Sequence, residues 1–241
     1  MFIHGAGVDH RMWASQIEAF AEHYRVLTFD MRGHGLSRPA GEFSFDALVE
    51  DAFALAEVVK ADKLAIIGLS MGGNVGQEMT FRSPRRIAGL ICADCTCNTL
   101  VPFFDRLLAP LYGSLFRPLL AFYPMRTLAR QVGEWSALTP EGQRYVGEAT
   151  ARFSKNQLSV IMTTLLAALH HEEGYRAPTP QLLCYGDHDQ LGNIRKVMPK
   201  WRDRDPQSEL VVIPKASHCS NIDNPTAFNQ VVLAWLERLF G

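Results

Sequence analysis

The sequence predicts an α/β protein with a mostly parallel sheet, helices on both faces and a helical insertion between two strands. Short, almost continuously apolar segments alternate along the chain with segments whose apolar residues recur at helical spacing. One longer stretch interrupts this alternation and carries helical pattern alone. Strands that are apolar throughout are typical of a parallel sheet covered on both faces, and this feature decides the class.

The individual elements follow from the same patterns. The apolar segments are predicted to be strands at residues 25–29, 64–68, 87–93, 181–185 and 209–213. The amphipathic segments are predicted to be helices at residues 11–23, 45–60, 74–81, 194–202 and 225–240. Together they describe strands joined by helical crossovers, which parallel neighbours require.

Residues 97–180 break the alternation. This stretch is rich in Leu and Phe, is punctuated by prolines and contains no strand-like run. We therefore expect a core domain made of residues 1–96 and 181–241, with residues 97–180 as a helical lid insertion. An insertion at the carboxyl ends of the strands lies where ligands bind in open α/β sheets.

Composition excludes several classes of protein. At 241 residues and 47% hydrophobic, the chain can bury a sizeable core without disulfides or metals. A net charge of −1 with scattered basic residues argues against a nucleic-acid partner. The most apolar stretch, 100–123, contains charges and prolines, so no membrane role is expected.

Cysteine usage and the start of the chain predict a cytoplasmic protein. The five cysteines are an odd number, and the opening residues lack the pattern of a secretory signal, so reduced thiols are expected. Cys95 and Cys97 have no second Cys/His pair at ligand spacing. We therefore expect neither a metal site nor a cofactor.

The sequence GLSMG at 68–72 follows the predicted strand 64–68 directly and precedes a helical segment. In this context the motif indicates a nucleophile elbow, in which Ser70 takes a strained position that projects its hydroxyl above the sheet. Glycines on either side avoid collisions with the neighbouring strand and helix. A glycine-rich turn with Ser70 as a helix cap is the alternative.

A serine nucleophile needs a base and an orienting acid. His218 lies in the loop after the predicted strand 209–213, and Asp189 lies after the predicted strand 181–185. The order Ser70, Asp189, His218 is the one expected for this elbow. Each residue follows a different strand, so all three are predicted to lie at one edge of the sheet.

Other titratable residues compete for these roles. Asp187 is only two residues from Asp189, but its position favours a turn residue that accepts local N–H groups. Asp94 also ends a strand and is a further candidate for the acid, although a structural role is expected. His34 lies in a tight turn and is predicted to be structural, and His188 stays a candidate for shaping the site.

Stabilising the transition state needs two N–H groups that point at the developing oxyanion. One is expected from Met71, immediately after the serine, at a helix start where N–H groups are free. The other is expected from the loop HGAG at 4–7, where the Ala6 N–H is the best candidate. A simple glycine turn is the alternative for this loop.

Five motifs spread over nearly the whole chain resemble those of the α/β-hydrolase fold, in particular its small microbial esterases, lactonases and C–C hydrolases. They are HGAG at 4–7, DMRGHGLS at 30–37, GLSMGG at 68–73, GDHD at 186–189 and SH at 217–218. The resemblance implies Ser70 as nucleophile, Asp189 as acid, His218 as base, and Ala6 and Met71 as oxyanion donors. Relatives with an aspartate nucleophile, such as epoxide hydrolases, are disfavoured.

The chain departs from the family at its start. Sheets of the family usually begin with two further strands, whereas only Phe2 and Ile3 stand before the His4 loop, within what would be the third strand. The predicted strand 25–29 would then be a sheet edge with unpaired backbone groups. We expect either a natively short chain that covers this edge by forming a homodimer or a truncated form.

These features predict a serine hydrolase, most simply a carboxylesterase that acts through an acyl-enzyme. The apolar residues between 103 and 122 favour small, uncharged or apolar esters as substrates. An enol-lactonase, a C–C bond hydrolase or a cofactor-free perhydrolase would use the same triad, so these alternatives stay open. A ligand receptor that keeps the fold and turns over slowly is the alternative of a different class.

Overall fold

A parallel sheet of five strands forms the centre of the computed structural model, which describes residues 1–38, 41–100 and 123–241. The strands are β1 (Phe2–Ile3), β2 (Leu64–Leu69), β3 (Ile87–Ala93), β4 (Gln181–Gly186) and β5 (Ser208–Ile213). They pair in the order β1-β2-β3-β4-β5, and every neighbouring pair is parallel. The α/β class predicted from the sequence is therefore confirmed.

The helices connect these strands. They are α1 (Ala14–Ala21), α2 (Phe45–Val58), α3 (Met71–Arg82), α4 (Met125–Ser136), α5 (Pro140–Thr150), α6 (Lys155–Ala167), α7 (Ile194–Arg204), α8 (Ser220–Asp223) and α9 (Pro225–Phe240). Across the described ranges, no helix combines the length and the apolar character that crossing a bilayer demands.

The core lies in two layers, one on each face of the sheet. Ile66 of β2 belongs to a buried cluster that includes Met79 of α3 and Trp201 of α7. The next residue, Ile67, belongs to the opposite cluster, with Phe20 of α1 and Phe228 of α9. Because successive side chains of a strand point to opposite faces, this arrangement explains why the strands are apolar throughout.

One predicted strand is wrong. Of residues 25–29, only Thr28 forms an isolated parallel bridge, with Phe2, while the Phe2 N–H donates to Leu27 O at 2.8 Å. The apolar pattern of this segment fits a strand, but its neighbour β1 is only two residues long. A ladder cannot extend beyond the strand that it pairs with.

Between β3 and β4 the described residues form the helices α4, α5 and α6, together with turns and loops. The apolar stretch 103–122, on which the substrate prediction rests, lies outside the described residues. The division of the chain into a core and a lid insertion stays a prediction.

Helix α3 begins at Met71, three residues before its predicted start, directly against β1. A Cβ placed on Gly72 would collide with the carbonyl oxygens of Ile3 and His4, the latter at 2.7 Å. Only glycine therefore lets the first turn of α3 lie in contact with the end of β1.

Replacing Gly72→Ala should lower the free energy of unfolding by about 2–3 kcal/mol, because the new methyl group forces the backbones of α3 and β1 apart. Urea denaturation measures the change. Gly41→Ala is the matched control, since a Cβ there meets no atom within 4 Å. Equal stability of the two variants would contradict the close approach.

Candidate active site

Ser70 occupies the turn between β2 and α3 in a conformation that L-residues rarely adopt, with φ 52° and ψ −121°. Its N–H donates to Ala93 O at 2.9 Å, which ties the turn to the end of β3. A Cβ on Gly68 would collide with the Gly72 carbonyl, so both glycines of the motif are needed where they stand. The half-buried Ser70 hydroxyl makes no hydrogen bond with another described residue.

His218 and Asp189 form a buried hydrogen-bonded pair. The two atoms His218 Nδ1 and Asp189 Oδ2 are 3.1 Å apart, and the residues are 8% and 2% exposed. The other carboxylate oxygen of Asp189 accepts the Leu191 N–H at 2.9 Å, which fixes its orientation. Because a carboxylate only accepts hydrogen bonds, the imidazole donates through Nδ1 and keeps a lone pair on Nε2.

The two competing aspartates hold the backbone instead. Asp187 accepts the Ala216 N–H at 3.0 Å and contacts the His188 ring at 2.6 Å. Desolvation raises its pKa, but these hydrogen bonds outweigh that effect and lower the pKa of Asp187 to about 2. In the described structure it makes no hydrogen bond to the imidazole of His218.

Asp94 is fully buried and connects three loops. Its carboxylate accepts the Gly186 N–H at 2.8 Å and the Ser220 hydroxyl at 2.5 Å. Burial, followed by the nearby charge of Asp189, raises the pKa of Asp94 well above its usual value. Asp94 therefore supports the segments around His218. In the described structure it makes no hydrogen bond to the His218 ring.

Strand register brings the serine turn and the Asp189 loop to one edge of the sheet. Leu69 pairs with Ala93, and Ala93 pairs with Cys184, so β2, β3 and β4 end side by side. Within the described ranges, Ser70 and His218 make no hydrogen bond with each other. Such bonds are often long without a substrate and tighten when one binds.

The loop 4–7 lies beside the serine, since a Cβ on Gly5 would lie 3.5 Å from Ser70 Cβ. The Gly5 N–H donates to Met12 Sδ at 3.4 Å, and the Gly7 N–H donates to His34 Nε2 at 3.2 Å. The Ala6 N–H between them has no acceptor in the part of the chain that the structure describes.

Met71 supplies a second candidate donor. Its backbone opens α3 next to Ser70, and the N–H groups in the first turn of a helix have no partner within it. The positive end of the helix dipole also lies here, which favours an anion at this point. The N–H groups of Ala6 and Met71 therefore flank the serine turn.

The loop that carries His218 is fastened to the helices between β3 and β4. The Cys219 N–H donates to Ser136 O at 2.7 Å, and the Ser217 hydroxyl donates to Trp135 O at 3.3 Å. These two contacts, one on each side of His218, form an anchor for the loop.

Asp223 strengthens this anchor, and sequence reasoning missed it. One of its carboxylate oxygens accepts the Ser217 N–H at 2.9 Å, while the carboxylate also accepts the N–H groups of Leu138 and Thr139 and the Thr139 hydroxyl. Most of these donors lie more than 80 residues away along the chain. No local sequence signal identifies such a contact.

Two buried histidines support the loop 4–7. His4 donates through Nδ1 to Gly5 O at 2.8 Å and accepts the Met31 N–H at 2.9 Å, so its tautomer is fixed. Burial lowers the pKa of His4 to about 4 and the pKa of His34 to about 3. Both rings are therefore neutral at pH 7.

A single group of potential metal ligands occurs among residues 1–38, 41–100 and 123–241, formed by Asp9, His10 and Asp30. Its oxygens are already engaged. Asp9 accepts two hydrogen bonds from the Arg11 guanidinium, and Asp30 accepts from the ring and the N–H of His10. This arrangement is typical of an ion-pair network, and Asp9 also caps the 3-10 turn His10–Trp13 that precedes α1.

Comparison with known proteins identifies the family. A model of the α/β hydrolase fold matches residues 1–225, so the chain belongs to the α/β hydrolase fold family. It is 28% identical to 3-oxoadipate enol-lactonase 2 of Acinetobacter baylyi, over 99% of this chain and 88% of that protein. It is 35% identical to the pimeloyl-[acyl-carrier protein] methyl ester esterase of Aliivibrio fischeri, over 95% and 89%.

A solved structure shows the same fold. A thermophilic esterase from Thermogutta terrifontis superposes with a TM-score of 0.84 at 22% identity, covering 100% of this chain and 89% of that one. The family that the sequence motifs resemble is confirmed by the match to the family model.

Replacing Asp223→Asn should lower the free energy of unfolding by about 2 kcal/mol, because the amide cannot accept all the N–H and O–H groups that now converge there. Urea denaturation measures the loss, and limited proteolysis should detect easier cleavage near residues 135–139. Asp203→Asn is the control, because this exposed carboxylate is bonded only to its neighbour Arg202 among the described residues. Equal stability of both variants would contradict the anchoring role.

Acid should destabilise the fold through His4 and His34. Their pKa values of about 4 and about 3 lie below the ordinary value of 6.5, so the unfolded chain binds more protons below about pH 6.5. The free energy of unfolding should therefore have its full value above pH 7 and fall by several kcal/mol toward pH 4. Denaturation across this range tests it, and His34→Gln should flatten the dependence.

Proposed function

We propose that this protein is a carboxylic ester hydrolase in which Ser70 is the nucleophile, His218 the general base and Asp189 the acid that orients the base. The observation that carries the proposal is the strained turn of Ser70 at φ 52°, together with the hydrogen-bonded pair of His218 and Asp189. Strain of this kind persists where the surroundings enforce it, and it is typical of functional positions. A plain helix cap would not need it.

The proposed reaction is transfer of an acyl group to water. His218 Nε2 takes the proton of Ser70 as the oxygen attacks the ester carbonyl, and Asp189 stabilises the resulting imidazolium. The carbonyl electron pair moves to oxygen, where the N–H groups of Ala6 and Met71 stabilise the negative charge. Return of the proton expels the alcohol, and water activated by His218 then cleaves the acyl-enzyme.

The apolar surroundings of the loop 4–7 support a small, uncharged or apolar substrate, and two relatives support cleavage of an ester bond. The partly buried Ala6 packs against a buried apolar cluster that includes Phe153 and Ile161, next to Leu158 of α6. Among named relatives with substantial identity, one is an enol-lactonase and one a methyl ester esterase. Both names describe cleavage of a carboxylic ester bond, cyclic in one case and open in the other.

Replacing Ser70→Ala should lower kcat toward p-nitrophenyl acetate and butyrate by at least about 10³-fold, because the attacking oxygen is lost. Unfolding free energy should change little. Ser15→Ala, at an exposed position of α1, is the matched control and should keep the wild-type rate. A Ser70→Ala variant with wild-type turnover would refute the assignment of the nucleophile.

Steady-state kinetics on a panel of substrates separate the remaining alternatives. Continuous turnover that depends on Ser70 supports an enzyme, whereas one stoichiometric burst followed by no turnover would indicate a receptor. Higher kcat/KM for lactones than for open esters of equal size would indicate a lactonase. Cleavage of a carbon–carbon bond, or halide oxidation with peroxide, at rates above ester hydrolysis would indicate a C–C hydrolase or a perhydrolase.

A further inference from the structure

The peptide between Gly5 and Ala6 carries the N–H that the proposed mechanism uses, and its orientation is fixed from the carbonyl side. Gly5 O accepts the His4 Nδ1–H at 2.8 Å, and His4 Nε2 is held in turn by the Met31 N–H at 2.9 Å. Since the carbonyl and the N–H of a planar peptide point in opposite directions, this bond directs the Ala6 N–H away from His4.

The next peptide, between Ala6 and Gly7, is held from its N–H side by His34. Gly7 N–H donates to His34 Nε2 at 3.2 Å, and His34 Nδ1 donates to Arg32 O at 3.1 Å, which leaves Nε2 as the acceptor. Gly7 has a φ of +73°. Glycine adopts this region without strain but can adopt many others, so a contact such as the bond to His34 is needed to select one conformation.

The His34 ring has little freedom to move. It is fully buried, and its centroid lies 5.0 Å from that of His4 and 5.2 Å from that of Phe153. Burial lowers the pKa of His34, the charge of Arg38 acts in the same direction, and together they outweigh the opposing effect of Asp30, so the ring stays neutral. A neutral ring is required, because a protonated Nε2 would repel the Gly7 N–H.

We propose that His34 is a positioning residue for ester hydrolysis: by accepting the Gly7 N–H, and with His4 on Gly5 O, it holds the Ala6 N–H toward the oxyanion. This inference rests on the proposed function and extends it to a residue that the sequence suggested was only structural. His34 makes no hydrogen bond to Ser70 among the described residues, and it acts through the loop 4–7.

Two substitutions separate the functions of the two ring nitrogens. In His34→Asn the shorter side chain reaches Arg32 O but not the Gly7 N–H. In His34→Gln the longer amide places an acceptor oxygen where Nε2 lies, and it loses the bond to Arg32 O. His23→Asn is the control, because His23 is exposed and follows the end of α1.

The decisive measurement compares two constants in each variant, KM for a small ester and Ki for an alkyl trifluoromethyl ketone. Ser70 adds to this ketone, the carbonyl electron pair becomes an oxyanion, and the proton passes to His218, so the inhibitor resembles the transition state. For His34→Asn we expect kcat/KM to fall about 10²-fold and Ki to rise equally, with KM changed less than about threefold. His34→Gln should stay within about fivefold of wild type.

A role confined to folding would lower the unfolding free energy and the amount of active enzyme, but it would leave Ki and KM unchanged, because neither depends on the folded fraction. Unchanged Ki in His34→Asn would therefore overturn the inference. If His34→Asn does not fold, His34→Leu is compared with His34→Gln, since both lose the bond to Arg32 O and only the glutamine keeps an acceptor. A Ki raised about 10²-fold in His34→Leu but not in His34→Gln supports the inference, and equal Ki in the two variants overturns it.

The proposed function can fail separately. A wild-type protein that hydrolyses no ester and does not bind the ketone would refute both the proposed function and the role of His34. An active wild type whose Ki is untouched by His34→Asn would refute the role of His34 alone.

Discussion

The close packing of three backbone segments around the β2–α3 turn is the constraint on which the rest of the site depends. Where β1, β2 and α3 meet, Gly68 and Gly72 leave room for backbone against backbone, and a Cβ at either position would collide with a carbonyl group. Ser70 between them has no relaxed alternative, because its N–H is bonded to the end of β3 and a helix starts immediately after it. The same contact sets the loop 4–7 beside the serine.

Environment divides the ionisable groups near this turn into two kinds. His4 and His34 are buried among apolar and backbone groups, and burial keeps both rings neutral and fixed in one tautomer. His218 instead is hydrogen-bonded to the carboxylate of Asp189. Two imidazoles of this chain thus serve as rigid supports, and the third is the one that we propose as the general base.

The sequence reveals those parts of the molecule that local pattern determines. The residues Ser70, Asp189 and His218 could be proposed for the site because each follows an apolar strand in a fixed order, and α9 could be predicted because its apolar stripe is long. The strand predicted at 25–29 was wrong, because the pairing of this segment depends on the length of β1 and not on its own composition.

Contacts between distant parts of the chain were beyond the reach of sequence patterns. Asp223 receives its donors from residues more than 80 positions away, and Gly7 receives its acceptor from His34, 27 positions away. Periodicity and motifs describe neighbours along the chain, whereas these bonds form only after the sheet has assembled.

The carboxylate of Asp223 has a consequence for how this scaffold can change. It joins the turn between α4 and α5 to the segment that carries His218, so both regions are held by the same carboxylate. Exchanging α4, α5 and α6 for the helices of another family member would remove the hydrogen bonds that Leu138 and Thr139 donate to Asp223. A chimera built this way would combine new helices with a displaced His218 ring, unless the segment 135–139 were retained.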